Sequence, residues 1–258
     1  GSLVAPAGNL PHTGLQQILD RSVSTNRITI NGGITAGKLR LVARGDSQKP
    51  LGIRICHDNH TANTRLQVLS GHTFKIDMKD DKATAEDAAT GYDALMDDGM
   101  QISIGSVTSG SCESFAAKSV DDNLFFITPS ASAASIITGR DNAFRVCFGD
   151  PDQGTLAAEE LTSKYKKIGA IYDTSDPYSK GIYEAFDAEM KKLNVTFATQ
   201  SFDQENKKDF STQVEALKDC EVIFLPIYYT EAGLIAKACA AKSVNAVLFG
   251  CDGLDGVA

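Results

Sequence analysis

The sequence predicts an α/β protein of doubly wound parallel sheets in two incomplete lobes, preceded by a β-rich N-terminal segment. Three observations lead there. From Thr73 onward short apolar runs alternate with helix-like stretches, the order that makes a parallel sheet covered on both faces. Before Thr73 the apolar residues instead recur with period 2, as in half-buried antiparallel strands. Between Gln101 and Ser135, two apolar runs separated by a helix-like segment each end in a cluster of small hydroxyl residues.

Composition sets the outer bounds. A chain of 258 residues with 42% hydrophobic content suffices for one large or two medium domains. A net charge of −8 argues against a nucleic-acid surface. No apolar run approaches the roughly 20 residues that span a bilayer. Gly1-Ser2 reads as a cloning remnant, with a leader expected to have been removed. The cysteines at Cys56, Cys112, Cys147, Cys220, Cys239 and Cys251 show no CxxC spacing. They are expected to be small buried hydrophobes, with no disulfide among the last five. Charge also divides the chain: residues 1–72 carry six Arg, two Lys and three acids, a net +5, and hold all four His. The remainder carries a net −13. The break suggests a fusion or an insertion, with residues 1–72 a β-rich arm of separate origin, 73–149 a partial first lobe and 150–258 a partial second lobe.

In order along the chain, residues 14–21 suggest a short helix. Alternating runs at 27–30, 38–42, 52–56 and 65–69 are read as strands, separated by turn residues such as Asn31-Gly32-Gly33. Arg44-Gly45-Asp46 matches an integrin-binding tripeptide but is turn chemistry. Cys56, His57, Asp58 and His60 are metal-ligand types without a second pair to close a tetrahedral site, so no metal is expected. Sequons begin at Asn59 and Asn194. TFKIDMKDD is a strand, and a helix starts at Thr84-Ala85-Glu86-Asp87 with acids in its first turn. Strands follow at 144–148, 168–172, 195–202, 222–227 and 246–249. Helices are expected at 155–165, 179–193, 209–218 and 231–242. GDPDQG at 149–154 is read as a loop and as the hinge between lobes.

The strand-helix-strand unit at 101–135 places its two strands side by side and parallel. The hydroxyls of Ser106, Thr108, Ser109 and Ser111, and of Thr128, Ser130, Ser132 and Ser135, then share one carboxyl edge, where open α/β sheets bind ligands. Helix capping uses the same residue types. Two such clusters at one edge favour an anionic ligand group held by hydroxyls and helix-start amides.

GSVTSGSCESF followed by LFFITPSAS, ungapped from Gly105 to Ser132, resembles the first-lobe signature of the leucine/isoleucine/valine-type periplasmic binding proteins of ABC transporters. TFKIDMKDDKATAEDA, FRVCFGDPDQG, DFSTQVEALK and LFGCDGLDG are similar to further family blocks, so the resemblance spans about residues 73–258. GGITAGKLRLV at 32–42 resembles the segment that precedes TFKIDMKDD. The resemblance implies the type I periplasmic-binding-protein fold and a receptor that closes on a branched-chain-like amino acid. The partner it implies is an ABC transporter permease, with no chemistry and no cofactor. It implies that Ser109 and Ser132 bind the ligand carboxylate through their hydroxyls, with amides of 109–111, Ser111 included, adding to them. The Ser130 carbonyl would accept from the ligand ammonium. Tyr178, in SDPYSKG, and Tyr228, in PIYYTEAG, would cover the ligand from the second lobe, and Asp252 would pair with the ammonium. A periplasmic or cell-surface location is implied, lipoprotein-anchored in a Gram-positive source.

Residues 1–72 hold no counterpart of the family's opening glycine-rich loop, and the sequence stops soon after GCDG. The first lobe is therefore expected to lack its first strand and both lobes their closing elements, with a complementing chain as a candidate partner. Two other functions stay open on the residues alone: a ligand-sensing regulatory domain on the same fold, or an adhesin acting through the β-rich arm, where GIRICHDNHT resembles a strand of pilus-tip invasins. An enzyme is not expected. There is no G-x-S-x-G elbow or P-loop, and no His follows His72 to activate Ser109.

Overall fold

A computed structural model describes residues 26–31, 40–43, 51–54, 68–69 and 72–254. The first sheet has the order β4-β5-β1-β6-β7-β8. Its strands are β1 (Asn26–Asn31), β4 (Val68–Leu69), β5 (His72–Lys79), β6 (Ile102–Gly105), β7 (Phe126–Thr128) and β8 (Ala143–Arg145). Between β1 and β5 in sequence lies an antiparallel ribbon of β2 (Arg40–Ala43) and β3 (Leu51–Arg54). The second sheet has the order β10-β9-β11-β12, built from β9 (Ile168–Asp173), β10 (Ala198–Phe202), β11 (Val222–Leu225) and β12 (Val247–Gly250). The helices are α1 (Ala85–Asp97), α2 (Ser109–Asp121), α3 (Asp150–Lys164), α4 (Pro177–Lys192), α5 (Ser211–Ala216) and α6 (Tyr229–Lys242).

β1 corrects the expected division of the chain. Period-2 alternation at 27–30 points to a separate antiparallel arm, yet β1 is an interior strand of the first sheet, parallel to both neighbours. It pairs with β5 from Asn26↔Phe74 to Asn31↔Lys79 and with β6 from Ile28↔Ile102 to Asn31↔Gly105, parallel on both sides. The first lobe thus has the strand it was expected to lack, and the position a complementing chain would take is filled from within. The reading failed because central parallel strands are usually continuous apolar runs, whereas this one alternates. Alternation served better at the ribbon, where Leu41↔Ile53 and Val42↔Gly52 are antiparallel partners. The expected helix at 14–21, the Arg44-Gly45-Asp46 turn, the Cys56–His60 cluster and the Asn59 sequon lie outside the described residues.

Each sheet reverses direction once. The chain steps from β1 outward to β5, then back across to β6; in the second sheet it steps from β9 to β10, then across to β11. Crevices at such switch points, beyond the carboxyl ends of the strands, are where this architecture binds ligands.

The helix starts follow local chemistry. Thr84 caps α1, its Oγ1 accepting from the Asp87 amide at 3.1 Å. α3 departs from expectation. Gly149–Gly154 is not a loop: Gly149 is the cap and Asp150-Pro151 open the helix. Proline is tolerated there because a first-turn amide has no intrahelical partner. Only residues 146–149 connect β8 to α3.

In the first lobe Phe115 of α2 lies edge-on to Tyr92 of α1 and to Phe126 of β7, with centroids 4.9 and 5.1 Å apart. In the second, β11 sends Val222 and Phe224 to the α3–α4 face and Ile223 and Leu225 to the α5–α6 face. The five described cysteines are free thiols.

Candidate ligand site

The two hydroxyl clusters meet at the carboxyl edge of the first sheet, as neighbouring parallel strands require. Ser109 opens α2, and its Oγ accepts from the amides of Ser132 and Ala133, both at 3.2 Å. Thr128 Oγ1 donates to the Ser106 carbonyl at 2.8 Å and accepts from the Ala131 amide at 3.0 Å. Ser109, Ser111 and Ser132 are buried. Thr108 precedes α2 without capping it. Instead its Oγ1 lies 2.8 Å from Ser111 Oγ, which donates to the Thr108 carbonyl at 3.1 Å. The Ser111 hydroxyl is thus used locally. The Ser130 carbonyl accepts from the Cys147 thiol at 3.3 Å.

The second lobe brings its residues from three strand ends. Asp176 caps α4 by accepting from the Ser179 amide, Pro177 follows, and Tyr178 is the second helical residue. The buried Tyr178 hydroxyl donates to Asp252 Oδ1 at 2.7 Å and accepts from the Gly253 amide at 2.8 Å. Gly253 is required by this approach, since a Cβ there would fall 2.7 Å from the Tyr178 hydroxyl. Tyr228, at the start of α6, stacks on Tyr178 with centroids 4.8 Å apart and planes 18° from parallel. Its hydroxyl accepts from the Ser109 amide at 3.4 Å, across the lobe boundary. An unbroken series of contacts therefore runs from Ser109 through Tyr228 and Tyr178 to Asp252, which is exposed in a 3₁₀ turn at Asp252–Leu254.

Burial, and then the Asp252 charge, hold the Tyr178 phenol well above its usual pKa. Burial, and then Asp176, do the same for Tyr228. Both stay neutral and able to donate. Amides and hydroxyls line one side of the boundary and carboxylates the other, the polarity that complements a zwitterion losing its hydration.

Three charged residues at this boundary were not singled out in the sequence. Arg145 donates from Nη1 to the Ser132 carbonyl at 2.6 Å. Burial raises the Asp176 carboxyl to about 6. Burial, with Asp252 adding to it, raises Asp150 to about 7. Asp150 was hidden by the loop reading of GDPDQG; an acid between glycine and proline is also a helix-start signal.

Among the described residues no group of three or more His, Cys, Asp or Glu could hold a metal. An open groove of about 590 Å³ lies elsewhere, lined by Thr174, Phe202, Asp203, Asn206, Asp209 and Gln213 among others. Its lining comes from the second lobe alone. The lobe boundary, where hydroxyls, tyrosines and carboxylates from both sheets converge, is the better candidate.

Comparison with known proteins bears on the family and the fold. The family model described as "Periplasmic binding protein" matches residues 61–255. The Leu/Ile/Val-binding protein BraC3 of Rhizobium johnstonii is 27% identical over 188 residues, which cover 71% of this chain and 51% of that protein. The Leu/Ile/Val-binding protein of Escherichia coli K12 is 26% identical over 194 residues, covering 73% and 53%. The chain thus spans about half the length of the curated relatives it matches. Among solved structures, a leucine-binding protein LivK from Thermotoga maritima superposes with TM-score 0.72 at 19% identity, over 90% of this chain and 64% of that one. A branched-chain amino-acid substrate-binding protein LivJ from Streptococcus pneumoniae, in complex with isoleucine, gives 0.68 at 20% identity, covering 89% and 65%. These likenesses establish the type I periplasmic-binding-protein fold. With the family match covering most of its length, the chain belongs to the periplasmic binding protein family.

Proposed function

We propose that this chain is the ligand-capturing part of an extracytoplasmic receptor that closes two lobes on a branched-chain-like amino acid and delivers it to an ABC permease. The observation that carries the reading is the contact series from the Ser109 amide to Asp252, which joins an anion-friendly helix start to a carboxylate through two stacked tyrosines. In this reading the α2 amides and the hydroxyls of Ser109 and Ser132 hold the ligand carboxylate. Asp252 and the Ser130 carbonyl hold the ammonium, and Tyr178 and Tyr228 cover the ligand. Ser111 positions the α2 start through Thr108. The relatives' names support the choice of amino acid. The family match over residues 61–255 favours this reading over an adhesin acting through the N-terminal arm. We also propose that the first lobe ends with β8 and the second begins with α3, with the ribbon of β2 and β3 as an insertion in the first.

Calorimetric titration of ligand-free protein against the twenty amino acids tests the reading. Leucine, isoleucine or valine is expected to bind. Asp252→Asn is expected to weaken binding by about 1.5–3 kcal/mol, the usual worth of a hydrogen bond to a charged group. Absence of binding to every amino acid contradicts the proposal, and unchanged affinity in Asp252→Asn contradicts its assigned role.

A further inference from the structure

We infer that Asp150 is a further carboxylate of the ligand site, set beside Ser132 at the lobe boundary to face the cationic group of the bound molecule. The inference rests on the amino-acid reading above and adds a second counter-charge to it. Asp150 is 1% exposed, yet neither Oδ1 nor Oδ2 has a hydrogen-bond partner among the described residues. Ser132, also 1% exposed, presents an Oγ in the same condition. The two are neighbours: the Asp150 amide donates to the Ser132 carbonyl at 3.2 Å. The Ser132 hydroxyl lies near enough to favour the ionised carboxyl, although the contact falls short of a full hydrogen bond. From α4, Gly181 approaches so closely that a Cβ there would stand 3.0 Å from Asp150 Oδ2. The carboxylate is therefore inserted between elements of the two lobes, in space that a glycine leaves.

A buried carboxylate without hydrogen bonds is costly unless a proton or a cation neutralises it. The charged or titratable groups around Asp150 are Arg145 from β8, Cys147 from the connection between β8 and α3, Asp176 from the α4 cap, Tyr228 before α6, and Cys251 and Asp252 after β12. Arg145 is the one cation among them, and its Nη1 is committed to the carbonyls of Ser132 and Ala133. The others are acids or neutral donors, so the local field favours a bound cation. Asp252 is exposed and already takes the Tyr178 hydroxyl; Asp150 has neither relief.

The consequence is a proton exchange. Burial raises the Asp150 carboxyl to about 7, so below that pH the empty site carries a proton there. An arriving ammonium favours the carboxylate and displaces the proton into solvent. Affinity for an ammonium-bearing ligand should therefore rise with pH up to about 7 and level off above it.

Titration of the full chain with L-leucine at about pH 6, in two buffers of different ionisation enthalpy, counts the protons exchanged. Release of about half a proton or more per leucine is expected, with affinity falling by up to ~10-fold per pH unit below that point. Asp150→Asn should bind leucine without this release and without this pH dependence. 4-Methylpentanoate, which has leucine's skeleton and no ammonium, should release none from the wild type. Leucine binding with no proton release, or with the same release in Asp150→Asn, overturns the inference and leaves the amino-acid reading standing. Absence of amino-acid binding at any pH removes both. If Asp150→Asn does not fold, the wild-type count repeated at about pH 7 decides: a carboxyl raised to about 7 still releases about half a proton there, whereas Asp176, raised to about 6, releases only about a tenth.

Discussion

Tyr178 shows how one side chain serves both packing and site. Its ring is buried in the second-lobe core and stacked on Tyr228, while its hydroxyl joins the Asp252 carboxylate to the Gly253 amide. Tyr178→Phe keeps the ring and removes two hydrogen bonds. It should cost the protein about 1–3 kcal/mol, because the part-buried Gly253 amide loses its acceptor. Urea denaturation followed by tyrosine fluorescence measures this, and an unchanged midpoint contradicts the role. At this scale the sequence was informative where chemistry and position coincide. Ser109 and Ser132 follow apolar runs, so their meeting was readable from strand adjacency alone. Asp150 was not, because it is packed against Ser132 and Gly181, which are remote from it in sequence.

At the scale of elements, the helix boundaries turn on a few residues. Thr84 with Asp87 announced α1 correctly, since a cap followed three residues later by an acid has a purely local cause. Glycine and proline at 149–154 pointed equally to a turn and to a helix start, and the fold chose the start. Gly154 has a further use that no local rule reveals: it lets α3 cross α4. A Cβ at 154 would fall 2.3 Å from the Ile182 carbonyl oxygen and 2.7 Å from the Phe186 amide. Those atoms are backbone, so relief requires the helices to part. Gly154→Ala should destabilise the protein by about 1–3 kcal/mol despite alanine's better helix propensity. A thermal midpoint equal to or above that of the wild type would show that the helices yield more easily than the geometry implies.

At the scale of the molecule, the alternation of strands and helices after residue 73 disclosed two parallel sheets, and the place of β1 stayed hidden. Local alternation carries no information about which neighbours a strand will find, and β1 finds β5 and β6 at 48 and 74 residues' remove. That placement has a sharp consequence. Ile28→Pro removes an amide donor and disrupts pairing in the interior of the first sheet, where each unmade buried backbone hydrogen bond costs roughly 1–3 kcal/mol. Hydrogen exchange should then rise in β5 and β6 and stay near its wild-type level in β9 to β12. Unchanged exchange in β5 and β6 would remove β1 from the sheet.

The central claim is that both lobes hold one ligand at their boundary. Hydrogen exchange of the protein with and without a saturating concentration of its tightest-binding amino acid tests it most directly. The account predicts simultaneous protection of residues 109–112 and 131–133 in the first lobe and of 228–229 and 252–254 in the second. Protection confined to one lobe, or centred on the groove around Asn206 and Gln213, would contradict it.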